Sequence, residues 1–236
     1  MRRAILGVAI AAMAAGCTVS SPRTPTSDFP GTIQVDRSPS PYAEVTAGAV
    51  HALIPDGWHP VADVDGAREG FFASPAPGAW QRMDGSTEGM AASWVDASEV
   101  GVPSDFYYLA ATGPLLSRLT HSADCRANHQ QVYLNNSPSF VSGSPSSPGD
   151  YMARGDGSCH VHGRITRWAY FVAAPGFGPV RRIGIPRSGL YVVVAVAAAG
   201  RNADQLLHRL IDRTRFGSAD IADFVRAARA KRLSSA

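Results

Sequence analysis

Near the C-terminal end, nine uncharged residues, Leu190-Tyr-Val-Val-Val-Ala-Val-Ala-Ala198, most restrict what this chain can fold into. Apolar side chains fall on both the odd and the even positions of the run. A strand with one wet face alternates, whereas a strand apolar on both parities is covered on both sides. The run therefore predicts an inner strand of a sheet, with packed layers above and below. Its neighbours are consistent with this. Residues 159–174 predict one long strand or two joined by a bend, Pro175-Gly-Phe-Gly-Pro179 turns the chain, and residues 180–185 return. Short turns between consecutive strands give an antiparallel meander.

Earlier elements are shorter. Residues 50–54 predict a strand that ends at the turn Pro55-Asp56-Gly57, where glycine permits a positive φ. Residues 70–74 and 90–96 predict two more, separated by a Gly-, Pro- and Asp-rich loop. Ser104 is a suitable N-cap, with Asp105 in the first turn. Phe106, Leu109, Ala110, Leu115, Leu116 and Leu119 then follow helical spacing, interrupted at Gly113-Pro114. Residues 125–135 predict a strand, and the Ser/Pro-rich stretch 136–150 a long mobile loop. After the last strand, Asn202 and Gln205 predict a capping box, with Leu206, Leu207, Leu210 and Ile211 as the buried stripe. Gly217 is expected to end that helix and Ser218 to start another. The fold class is α+β, an antiparallel sheet flanked by helices.

The N-terminal stretch has a different character. Arg2 and Arg3 precede an apolar run from residue 4 to 15, which ends at Ala14-Ala15-Gly16-Cys17. Twelve residues fall short of the about 20 needed to cross a bilayer. The layout is that of a secretory signal. The site also resembles the lipobox of bacterial lipoproteins, although Ala14 stands where that motif more often has leucine. The resemblance implies that Cys17 carries a diacylglyceryl group and that cleavage occurs before it, which tethers the chain to the extracytoplasmic face of the cell membrane. The alternative is an ordinary signal peptide with Cys17 as a bystander. Residues 18–47 contain Pro22, Pro25, Pro30, Pro39 and Pro41 and few large apolar side chains, which predicts a flexible tether. The organisation expected is thus a signal over 1–16, a lipidated cysteine and tether over 17–47, and one domain over 48–232.

The formal net charge of +3 falls to about +1 once Arg2 and Arg3 are removed with the signal, which gives no reason to expect a nucleic-acid partner. With Cys17 assigned to lipid, Cys125 and Cys159 remain, an even number in an oxidising compartment, and a disulfide between them is expected.

Ile54-Pro-Asp-Gly-Trp58, the mid-chain helix, the long strand pair, Gly189-Leu-Tyr-Val-Val-Val194 and Thr214-Arg-Phe-Gly217 together resemble the PsbP-like α/β/α sandwich. Within it, the chain is most similar to LpqN-type lipoproteins of actinobacteria. The resemblance covers residues 50–217, implies an accessory or protein-binding role in the cell envelope, and brings no catalytic residues or cofactor.

Five patterns are candidates for chemistry. His121, Cys125 and His129 are spaced by four and would share one face of a helix, and Cys159, His160 and His162 form a second cluster, so zinc is one alternative to the disulfide. A hydrolase using these histidines is another, although no Gly-x-Ser-x-Gly elbow is present. Asp63-Val64-Asp65-Gly66 is a fragment of a calcium loop without its bidentate glutamate. Gly176-Phe177-Gly178 is better explained as a hairpin turn than as a phosphate loop. Trp168 and Tyr170 share a strand face and could floor a ligand pocket, although such aromatics are more often core. The function expected is non-enzymatic: binding of an envelope protein or a small ligand.

Overall fold

The fold comes from a computed structural model, which describes residues 33–37, 40–62, 68–77, 88–96, 119–120, 122–135, 151–174 and 189–234. These residues form two antiparallel sheets and two closing helices. The smaller sheet has the order β1 (Ile33–Asp36), β2 (Tyr42–Ala47), β3 (Val50–Pro55), β11 (Arg215–Phe216) and β12 (Ala219–Asp220). The larger runs β4 (His59–Ala62), β5 (Arg68–Ser74), β6 (Gly89–Asp96), β10 (Gly189–Ala198), β9 (Arg164–Ala174), β8 (Tyr151–Val161) and β7 (Cys125–Asn135). The helices are α1 (Ala203–Asp212) and α2 (Ile221–Ser234).

Strand β10 lies between β6 and β9, with antiparallel register to both. Both of its faces are buried, as the apolar run predicted. On one side Tyr191, Val193 and Ala195 enter a core with Ile54, Phe71, Phe171, Leu207, Leu210 and Phe224. On the other, Val192, Val194 and Val196 pack with Leu119, Trp168 and Tyr170. The first face is covered by the small sheet together with the helices, so the observed fold is richer in β-structure than one sheet flanked by helices.

The domain also begins earlier than the composition suggested. Within the tether expected over 17–47, residues 33–36 and 42–47 are strands, and β2 places Ala43, Val45 and Ala47 in the core and turns Glu44 and Thr46 outward. That period-two pattern lies between prolines and is built from small side chains, so the composition hid it. Residues 159–174 form parts of two strands. The β8–β9 hairpin turns at His162 and Gly163, both with positive φ, as a two-residue hairpin connection demands. Strand β8 starts at Tyr151, eight residues before the predicted strand.

Two caps differ from expectation. Asn202 stands at the N-cap of α1 but its side chain makes no capping hydrogen bond. Gly217 (φ 64°) serves the β11–β12 turn and does not end α1, which stops at Asp212. Helix α2 is capped by Asp220, not Ser218. The Asp223 N–H donates to Asp220 Oδ1 (2.9 Å) and the Asp220 N–H to Asp223 Oδ2 (3.1 Å), a reciprocal capping pair. The expected helix from Ser104 lies outside the described residues except at Leu119 and Thr120, which are helical. The 136–150 loop and the 180–185 strand lie wholly outside them.

Candidate functional site

The face of the large sheet that meets the small sheet changes character along β8 and β9. Met152, Phe171 and Ala173 are apolar and buried, but from there toward the hairpin the same face carries Arg154, Asp156, Ser158, His160 and Arg167. Helix α1 packs against β9 and β10 beside this polar stretch. Two ion pairs tie it there, Arg154 to Asp212 at 3.6 Å and Arg167 to Asp204 at 3.9 Å. Across from β8, His129 on β7 places Nδ1 3.0 Å from Asp156 Oδ1. The partners differ in environment: the His129 side chain is 83% exposed and that of Asp156 25%.

A histidine whose Nδ1 meets a carboxylate is the orienting half of an acyl-transfer triad. The remaining half is not assembled here. Ser158, two residues along the same face of β8, is not hydrogen-bonded to His129, which stands on β7, the last strand of the sheet among the described residues.

That edge is the larger feature. Among the described residues β7 is the last strand of its sheet, and every side chain from Arg126 to Val132 is exposed. The opposite edge strand, β4, is short and contains Pro60, two devices that discourage further strand pairing. Strand β7 is eleven residues long without proline, and its pairing with β8 shifts register at Ala127/His129 and again at Val132/Leu134.

At the start of β7, Cys125 is directly opposite Cys159 and bonded to it. The sequence separation of 34 corresponds to about 3.8 kcal/mol in the chain-entropy model. Cys159 is fully buried beside Trp168 and Leu119, so one side of the staple belongs to the second core. The His160 N–H donates to Asp124 O (2.7 Å) and the Cys125 N–H to Ser122 O (3.1 Å), which closes the turn before β7. An open hollow there is lined by Ala123, Asp124, Arg126 and His160.

A second polar cluster occupies the outer face of the small sheet. Thr46 Oγ1 lies 3.1 Å from His51 Nδ1, Arg215 reaches Glu44 at 3.4 Å, and Arg209 both donates to the Tyr42 hydroxyl (2.9 Å) and stacks on its ring. Burial and, after it, the Arg215 guanidinium hold the His51 pKa below its ordinary value, and Glu44 opposes them.

No protein-family model matches this chain, and no curated protein matches it.

The residues singled out in the sequence fare differently. The disulfide removes Cys125 and Cys159 from both proposed zinc sets, since neither is a free thiolate. Residues 125–135 are strand, so the helical spacing of Cys125 and His129 does not apply, and His129 is held by Asp156. His160 is on β8 and His162 in the hairpin turn. No group of three or more His, Cys, Asp or Glu able to hold a metal occurs among the described residues. Trp168 and Tyr170 do share a face, stacked at 5.9 Å, and are buried as core. Cys17, His121, the Asp63–Gly66 fragment and Gly176–Gly178 lie outside the described residues. Sequence reasoning missed Asp156 and Arg154. Their signal was the alternation Arg154, Asp156, Ser158, His160, one polar residue in two, which marks the half-wet face of a strand.

Proposed function

We propose that the chain is a lipoprotein, held by acyl groups on Cys17 at the extracytoplasmic face of the cell membrane, that binds an envelope protein or small ligand without catalysing a reaction. The observation that carries this is the Cys125–Cys159 bond. Disulfides persist where thiols oxidise, outside the cytoplasm. The bond also leaves Cys17, at the end of a lipobox-like segment, as the one cysteine free for acylation. No helix among the described residues is long and apolar enough to cross a membrane. Two acyl chains supply the two-signal anchoring that one chain does not, at about 0.8 kcal/mol per buried methylene.

The PsbP-like sandwich belongs to the same proposal. A β10 covered on both faces, with two helices packed on one side of the sheet and the helical Leu119 on the other, supports it, and that architecture implies an accessory role. For binding, β7, the last strand of its sheet among the described residues, presents exposed side chains on either face from Arg126 to Gln131 to an extended partner segment.

Intact-mass measurement of protein extracted from membranes, with and without reductant, tests this. The expected spectrum has the chain beginning at Cys17 with a diacylglyceryl adduct, and gains 2 Da on reduction. A mass corresponding to an unacylated chain would remove the anchor. A bound-metal mass would favour instead a metal protein or hydrolase, for which the His129–Asp156 pair is the motivating geometry.

A further inference from the structure

One end of the large sheet gathers positive charge that neither the disulfide nor the His129–Asp156 pair uses. Strand register defines this end. Cys125 at the start of β7 faces Cys159, His160 faces Ile165, and Val161 faces Arg164 across the hairpin turn. The Ala199 N–H donates to Ile165 O at 3.0 Å, which lays the turn containing Arg201 beside the hairpin. By that register Arg126, His160 and Ile165 lie on one face of this end and Arg164 on the other, with His162 and Arg201 in the adjoining turns, and the three arginines and two histidines are all exposed.

The local charge is unbalanced. Arg154, Arg167, Arg215 and Arg226 each have a carboxylate partner. Among the described residues, Arg126, Arg164 and Arg201 have no acid within ion-pair distance. The acids at this end among the described residues are Asp124 and Asp204, the latter shared with Arg167, and Glu88 lies further over, before β6. Among the described residues, four arginines (126, 164, 167, 201) against these two aspartates leave +2 without counting the histidines. On the face with Arg126 and His160, Ile165 is 43% exposed, one of few large apolar side chains left in water among the described residues.

We propose that this end of the sheet docks on the anionic lipid headgroups of the membrane that holds the chain, with the arginines on phosphate and Ile165 at the interface. The proposal rests on the lipid-anchored reading above. Arginine forms paired hydrogen bonds to phosphate oxygens, and a surface bearing several cations beside an exposed aliphatic side chain matches a charged interface with an apolar interior. The geometry permits contact although the chain enters from the far side: Ile33 pairs with Ala47 near Ala49, whose N–H donates to Glu69 at the opposite end of the large sheet. Residues 18–32 extend at most about 50 Å, and an eleven-residue strand is about 37 Å long. The leash therefore outreaches the sheet.

The test uses the full chain on vesicles of neutral phosphatidylcholine alone or with phosphatidylglycerol, with hydrogen exchange of residues 160–166 as the readout. Exchange is expected to slow in the anionic vesicles by about fivefold or more, the effect expected of a single arginine near such a surface. That protection should disappear at high salt and in Arg126→Gln/Arg164→Gln/Arg201→Gln, and persist in the corresponding triple lysine variant. Equal exchange on the two vesicle types, or protection that survives the glutamine variant, overturns the docking. The mass of the same sample reports on Cys17 separately. An unacylated chain would refute the anchor, yet added to the same vesicles it still supports or refutes the surface by the same comparison.

Discussion

His51 shows how one side chain couples the small sheet to pH. It sits in β3 between Thr46 on β2 and Arg215 on β11, the strands that pair with it at that register. A neutral imidazole nitrogen can accept the Thr46 hydroxyl at 3.1 Å, whereas a protonated ring cannot and also faces the Arg215 guanidinium. Burial and Arg215 together place the folded-state pKa below the unfolded value of about 6.5. Between these two values the unfolded chain binds more protons, so stability rises with pH there. His51 thus contributes stability that is fully present above about pH 6.5 and is lost as pH falls through the folded-state pKa. Urea unfolding midpoints of the wild type and His51→Gln, measured from pH 7.5 down to pH 5, should show the wild type losing stability relative to the variant. A difference between the two that does not change with pH would count against this account.

At the scale of the element, β8 explains both a success and a failure of sequence reasoning. Residues 189–198 were legible because their side chains are those strands prefer, apolar and largely β-branched on both parities. Residues 151–158 were not, since Gly155 and Gly157 lower strand propensity and the charges between them suggest a loop. The glycines are compensated across the ladder: Gly155 faces Tyr170 and Gly157 faces Trp168, whose rings lie over the missing side chains. A Cβ at 155 would meet Tyr170 Cε1 at 2.7 Å and His129 O at 2.9 Å. At 157 it would run into Arg126 O and the Trp168 ring more closely still, and neither can move freely, one being backbone and the other fully buried. Gly157→Ala is therefore expected to cost about 1–3 kcal/mol, or about 2–10 °C in melting temperature. Gly155→Ala should cost less. Thermal melts followed by circular dichroism measure both, and a Gly157→Ala melt that coincides with the wild type would mean that Trp168 repacks without penalty. The disulfide was legible for a different reason: a count of cysteines by compartment needs no knowledge of the strands, yet the strands place Cys125 and Cys159 directly opposite each other.

Across the whole molecule, the two sheets and α2 meet at one aromatic cluster. Phe224 of α2 contacts Tyr191 of β10 at 4.9 Å, Phe171 of β9 at 5.6 Å and Phe216 of β11 at 6.0 Å, all edge to face. No local period announces such a junction, because its members come from four separate elements. The small sheet is hidden for the same reason: β3 completes it by pairing with β11, which brings His51 opposite Arg215. The candidate site was correspondingly half legible, with the cysteines and histidines visible but their carboxylate partners not. The domain boundary is where this difference can be measured. A chain starting at residue 48, where composition put the boundary, lacks β2, whose Ala43, Val45 and Ala47 are wholly buried against the large sheet. It also leaves β3 without its neighbour on one side and takes Glu44 from Arg215 and Tyr42 from Arg209. Burial of Val45 alone is worth about 1.5–3 kcal/mol, and with the alanines, the six paired positions of β2 and β3, and the newly wetted Ile54 the loss approaches the about 5–15 kcal/mol that holds a domain together. A chain starting at residue 33 should melt cooperatively at the temperature of the longer chain, whereas one starting at 48 should show no cooperative transition. Equal melting of the two would place β1 and β2 outside the folding unit and return the boundary to residue 48.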